Sequence, residues 1–255
     1  MKISIFKIIK NFFFPPQCIF CDKVLEINDE SCICDACKTA VMRCADKICC
    51  EKCGKPIVSH GKRVRCYHCI ENETQYFNRI VSVFEYDGLV KESVQRFKGG
   101  KIQSYAITYA ECMVERLKQE YKDIRFDLIC AVPSSSDKKR TQGFDNVELI
   151  CKYISRKIRI PLCKNVLKKI RHTEKQTELN YQERADNIKN SIAVEKPEAV
   201  YDKTVLLVDD VCTTRATLTE CSRALKKAGA ARVFCLTFAT AVKKYSNIKD
   251  KLPQI

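Results

Sequence analysis

RIVSVFEY (79–86) is rich in β-branched and aromatic residues and predicts a strand. FDLICAVP (126–133) is a short apolar run stopped by Pro133. TVLLVDD (204–210) is a continuous apolar run closed by two aspartates, and RVFCLTFA (232–239) is another. Each of these predicts a buried strand. Helical spacing separates them. Tyr105, Tyr109, Cys112, Met113 and Leu117 predict a helix over 104–121, and a second is expected from about Asn146 to Arg159. Leu218, Cys221, Ala224, Leu225 and Ala228 share one helical face, with Gly229 as the stop. Buried strands alternating with helices predict an α/β fold with a parallel sheet covered on both faces. Two stretches fit no core element: the polar, basic SSSDKKRTQGF after Pro133, and 171–190, which reads as a surface loop or flap.

The chain of 255 residues carries 46 Lys+Arg against 31 Asp+Glu, a net charge of +15, and only 7 Gly. With 45% hydrophobic residues it is neither disordered nor collagen-like. Three histidines (His60, His68, His172) leave little room for His-based catalysis. No run approaches the roughly 20 apolar residues of a membrane span. The apolar lead-in MKISIFKIIKNFFFPP is broken by Lys7 and Lys10 and lacks a small-residue cleavage site before Cys18. It is read as an arm (1–17) packing on the body.

The cysteines divide the chain further. There are 18, of which 11 fall between Cys18 and Cys69, while seven are scattered through apolar segments. A disulfide scaffold is normally a small secreted chain. A large basic chain of this kind indicates a reducing compartment, the cytoplasm, and metal binding. Four Cys-x-x-Cys knuckles recur: Cys18/Cys21, Cys34/Cys37, Cys50/Cys53 and Cys66/Cys69. Two knuckles supply one tetrahedral thiolate site, so four imply about two structural Zn²⁺. Sequential and interleaved pairing both satisfy the spacing. Cys32, Cys44 and Cys49 are spare, and His68 inside the last knuckle is read as a bystander.

The candidate chemistry lies at VLLVDDVCTTRATL (205–218). Ligands of open parallel sheets sit beyond the carboxyl ends of the strands. There Asp209 and Asp210 precede Thr213, Thr214 and Thr217, and a helix begins. First-turn amides favour an anion, and threonine hydroxyls add donors. Two carboxylates beside such a cradle suit vicinal hydroxyls or Mg²⁺. Together these would hold a ribose 5-phosphate. A plain turn and helix cap would use the threonines equally well, but gives no role to two consecutive acids.

This segment resembles the phosphoribosyl-pyrophosphate (PRPP) motif of type I phosphoribosyltransferases, and the cysteine block in front of it is similar to the ComF family of competence proteins. AVPSSSDKKRTQGFDN resembles that family's proline-led basic loop. Arg171, Thr173, Gln176, Leu179, Arg184 and Asn187 resemble its flap, and FEYDGLVKESVQRFKGG its early strand–helix segment, ending in Lys98. The resemblance implies a type I phosphoribosyltransferase-like fold over 76–245, after a double zinc ribbon at 18–75 and before a tail at 246–255. It implies PRPP contacts from Asp209 and Asp210 (ribose hydroxyls, the catalytic pair) and from Thr213, Thr214, Arg215, Ala216 and Thr217 (5-phosphate). Pro133, Lys139, Arg140 and Arg171 would lie near the pyrophosphate or flap. Mg²⁺ would accompany PRPP, and the family context implies DNA uptake, single-stranded DNA and a helicase-like partner.

The chain departs from the pattern twice. Arg215 stands where the motif has Gly, so it either pairs with the phosphate or obstructs the turn. Gln142-Gly143-Phe144-Asp145-Asn146 replaces an Arg-Gly-Phe-Asn-Gln ending, which loses a basic contact. From Lys138 to Lys175 there are 12 Lys+Arg and 3 Asp+Glu, a net +9 that reads as a solvated surface or as a track for phosphates. Two functions are carried forward: a phosphoribosyltransferase-type protein binding PRPP or a nucleotide in DNA uptake, and a non-catalytic zinc-ribbon adaptor for DNA or a helicase with a degenerate site.

Overall fold

The computed structural model describes residues 15–26, 32–57, 65–71, 75–99, 104–134, 145–171 and 188–242. Its centre is a four-stranded, all-parallel sheet of order β1-β6-β5-β2. The strands are β1 (Arg79–Glu85), β2 (Leu128–Ala131), β5 (Thr204–Cys212) and β6 (Arg232–Thr240). Among the described residues, five α-helices follow the cysteine block: α3 (Gly88–Lys98), α4 (Ser104–Glu120), α5 (Asn146–Ile158), α6 (Pro197–Val200) and α7 (Ala216–Lys227). Two short helices, α1 (Asp35–Ala40) and α2 (Tyr67–Glu71), belong to the cysteine block.

The uninterrupted apolar strands follow from burial on both faces. Alternate residues of a strand point to opposite sides. Leu206, Val208, Leu236 and Phe238 pack with α4 and α5, while Val205, Leu207, Val233 and Cys235 pack with α7. β5 runs two residues beyond the expected limit. Asp209 pairs with Thr237 and Cys212 with Thr240, so both aspartates lie inside the ladder. The sequence pattern does not reveal one further element, a small antiparallel pair. In it β3 (Leu167–Lys169) and β4 (Ile192–Val194) pair Leu167 with Val194 and Lys169 with Ile192. Three-residue strands are too short to show a period.

The cysteine block is not a separate globule. Ile19 and Phe20 of its first half join the core cluster on the α4 face. The Phe20 ring meets Phe84 at 5.5 Å, Phe84 meets Phe238 at 5.2 Å, and Phe238 stacks on Tyr109 at 3.6 Å. Its second half leans on the edge of β1, where the Ile80 amide donates to the Lys52 carbonyl at 2.9 Å. Gly54 shows how close this approach is. Its φ is +66°, and a Cβ there would lie 2.4 Å from the Ile80 carbonyl oxygen. The two halves repeat one backbone, with Asp22 (φ 59°) in the position of Gly54. The first half has room for a side chain, and Asp22 uses it to accept from the Tyr105 hydroxyl at 2.7 Å and to pair with Arg96 at 3.4 Å.

A shared core predicts shared unfolding. Phe20→Ala removes a fully buried ring and should cost about 3–5 kcal/mol. Heating followed by near-ultraviolet dichroism and by zinc release should show one coincident, lowered transition. Two separate transitions would contradict the shared core.

Candidate functional site

Cys18, Cys21, Cys34 and Cys37 form one set and Cys50, Cys53, Cys66 and Cys69 a second, the sulfurs of each lying within 4.8 Å of one another. Pairing is therefore sequential. The spacing fits zinc. Four sulfurs about 2.3 Å from one ion stand roughly 3.8 Å apart in a tetrahedron. The Cys21 and Cys34 sulfurs are 3.6 Å apart, and those of Cys53 and Cys66 are 3.7 Å apart. Equivalent amides support both sets: Cys34 N–H donates to the Cys18 sulfur at 3.4 Å and Cys66 N–H to the Cys50 sulfur at 3.2 Å. Cys32, Cys44, Cys49 and His68 lie outside both sets. The eight cysteines fit two structural Zn²⁺, with no ligand position left for substrate.

The carboxyl edge of the sheet brings the other candidates together. β2 ends beside β5, and the Val132 amide donates to the Val208 carbonyl at 2.9 Å just before Pro133. The basic loop that follows, with Lys139 and Arg140, lies outside the described residues. Its two ends are clamped. The Ser134 hydroxyl donates to Asp145 Oδ2 at 2.7 Å, and Asp145 Oδ1 accepts from the amides of Val147 and Glu148. Asp145 thereby caps α5, a task that asparagine would also perform. This accounts for Asp145 where the pattern has Asn, while Gln142, where the basic contact is lost, lies outside the described residues. The Arg171 guanidinium donates to the Lys189 carbonyl at 3.1 Å, across the two ends of the flap. Flap residues 172–187 lie outside the described residues.

Continuing the alternation of β5, Asp209 and Asp210 leave the strand on opposite faces. Asp210 is 7% exposed, and its Oδ1 pairs with the Lys98 ammonium at the end of α3, 2.9 Å away. Burial works against the charge on Lys98, but Asp210 outweighs it and raises the lysine above its ordinary pKa. Asp209 Oδ1 accepts from the Asp210 amide at 2.8 Å. Burial, reinforced by the Asp210 charge, pushes the Asp209 carboxyl up to about 8, against the opposing pull of Lys98.

Thr213 and Thr214 carry the chain from β5 to α7, and the Thr214 hydroxyl accepts from the Ala216 amide at 3.4 Å. Thr217 stands in the first turn of α7. Arg215 caps that helix with φ 71° and ψ −9°, the left-handed conformation that glycine adopts without strain. Its side chain takes a course that neither sequence reading contained. It is 6% exposed and donates through Nη1 to the Cys69 sulfur at 3.2 Å.

Two measurements check this geometry. Elemental analysis should find two zinc ions per chain, and Cys50→Ser with Cys53→Ser should leave one. Asp209 has its folded pKa raised above its unfolded value. Its neutral form therefore favours folding, and this contribution is lost as pH rises from about 4 towards 8. Asp209→Asn should consequently gain stability over wild type, on the order of 1–2 kcal/mol at pH 8.5, and less at pH 6. Denaturant unfolding at the two pH values reads this difference, and an unchanged gap would contradict it.

Known proteins match both halves. Residues 9–70 match the double zinc ribbon domain, and residues 149–252 match the phosphoribosyl transferase domain. The chain is 29% identical to competence protein F of Haemophilus influenzae, over 85% of this chain and 93% of that protein. It is 26% identical to the DNA utilization protein YhgH of Escherichia coli K12, over 87% and 96%. It is 24% identical to competence protein ComFC of Bacillus subtilis, over 78% and 80%. The chain thus matches a double zinc ribbon domain followed by a phosphoribosyl transferase domain, and along most of its length it is similar to proteins named for competence and DNA utilization.

Proposed function

We propose that the chain binds PRPP or a nucleoside phosphate at the carboxyl edge of β5 and serves DNA uptake in the cytoplasm. One observation carries the ligand reading. Two acids within a parallel strand meet a threonine-rich turn at a helix start, with the clamped Ser134–Asp145 loop base one strand away. In this reading the first-turn amides of α7 and the hydroxyls of Thr213, Thr214 and Thr217 take the 5-phosphate. Asp209 and Asp210 take the ribose hydroxyls, and Lys98 leaves Asp210 for an incoming phosphate oxygen. Carboxylate and hydroxyl oxygens are the donors that Mg²⁺ accepts. The ion would supply neutralisation of a departing pyrophosphate, with Asp209 and Asp210 as its nearest acids. The DNA role rests on the relatives named for competence and DNA utilization.

A specific observation favours a second reading, a binding protein without turnover. Arg215 holds the backbone of a glycine position while its side chain is committed elsewhere. Single-stranded DNA and a helicase-type partner are then the functional ligands. The basic stretch that would serve them is partly neutralised already, because Lys157 pairs with Glu111, Lys164 with Glu148 and Lys168 with Glu195. Nine of the twelve cations are outside these three pairs, and Lys138, Lys139 and Arg140 are the consecutive run among them.

Calorimetry with PRPP and Mg²⁺ tests the site. Asp210→Ala should weaken binding by about 1.5–3 kcal/mol, roughly ten- to a hundredfold. Absence of any heat with wild type would remove the ligand reading. Release of labelled pyrophosphate with candidate bases separates an enzyme from a binder. For DNA, neutralising Lys138, Lys139 and Arg140 together should flatten the salt dependence of single-strand affinity by up to about two to three units of slope. An unchanged slope would take this loop out of the track.

A further inference from the structure

We infer that Arg215 ties the second zinc site to the loop between β5 and α7, so that the turn opening α7 is held by the zinc ribbon. Three observations converge on this residue. Its backbone sits at φ 71°, where a residue with a Cβ is strained and persists only if its surroundings hold it. Its side chain is buried, although an arginine gains nothing from burial without partners. Among its partners is the Cys69 sulfur, 146 residues away in the chain, which also receives the Gln75 side-chain amide at 3.4 Å, while Arg215 Nε donates to the neighbouring Thr214 carbonyl at 3.4 Å.

The chemistry favours this partner. A zinc ion with four thiolates carries a net charge of −2, and hydrogen bonds to the sulfurs spread that charge. A guanidinium is a fixed cation with directed N–H groups. The side chain of Arg215 thus repays the ribbon with charge, and the ribbon holds the strained backbone. Thr219 N–H donates to the Arg215 carbonyl at 2.8 Å, so the same residue anchors the first turn of α7. Arg215 is a positioning residue. The tie itself is independent of what the loop binds; its bearing on phosphate affinity rests on the reading above.

Zinc release from the full chain into excess chromogenic chelator tests the tie, since the two ions can be counted separately. Arg215→Gly relieves the backbone while removing the guanidinium, and Arg215→Lys keeps a cation at the same backbone cost. The tie predicts that one ion of two leaves about tenfold faster in Arg215→Gly, at unchanged or raised thermal stability, and at an intermediate rate in Arg215→Lys. It also predicts that amides 215–219 exchange hydrogen faster in Cys66→Ser, which should hold a single zinc. Release at wild-type rates in Arg215→Gly overturns the tie, as does equal acceleration of both ions. Unchanged exchange at 215–219 in Cys66→Ser overturns the control of the loop by the ribbon.

Discussion

The shape of the cysteine block depends on two sets of four thiols gathered closely enough for a tetrahedral ion. The described residues between 18 and 71 hold two very short α-helices, one 3-10 turn (Cys44–Asp46) and isolated bridges, far too little regular structure to hold eight cysteines in two compact sets. The metal's binding free energy is the natural source of that order. Once ordered, the ribbons become walls of the larger domain. The first offers Phe20 to the aromatic stack on the sheet, and the second offers a backbone carbonyl to the edge of β1 and a sulfur to Arg215. Edge strands are exposed to unwanted pairing, and the second ribbon covers the β1 edge.

This arrangement explains why one backbone turn has different residues in its two copies. Gly54 is forced by the Ile80 carbonyl, whereas Asp22 meets Arg96 and Tyr105. The same logic applies in reverse at position 215. There the glycine expected of a phosphate loop is replaced by a residue that tolerates the conformation because a neighbouring module holds its side chain. The electrostatics of the strand end follow from the same crowding. Lys98 stabilises the buried Asp210, and partial burial beside that charge raises the Asp209 carboxyl.

Much of this was legible in the sequence. The four main strands and helices α4, α5 and α7 follow from apolar runs and helical spacing, and the eight zinc ligands from knuckle spacing. Sequential pairing was not legible, because 16-residue spacing satisfies both schemes and only the folded backbone separates the sets. The β3–β4 pair was invisible, since LKK and IAV carry no period. The contact of Arg215 with Cys69 joins distant positions of unrelated motifs, and only the left-handed demand of the turn hinted that this residue was special. The cap that Asp145 supplies to α5, and its hold on the loop base through Ser134, were not legible either, because both depend on how the loop ends meet in space.

The most direct test is a crystal of the full chain soaked with PRPP and Mg²⁺. The account predicts the 5-phosphate on Thr213, Thr214 and Thr217 at the start of α7, the ribose hydroxyls against Asp209 and Asp210, and Lys98 drawn away from Asp210. Ligand bound elsewhere, or the Lys98–Asp210 pair intact at saturating PRPP with nothing at the loop, would contradict it.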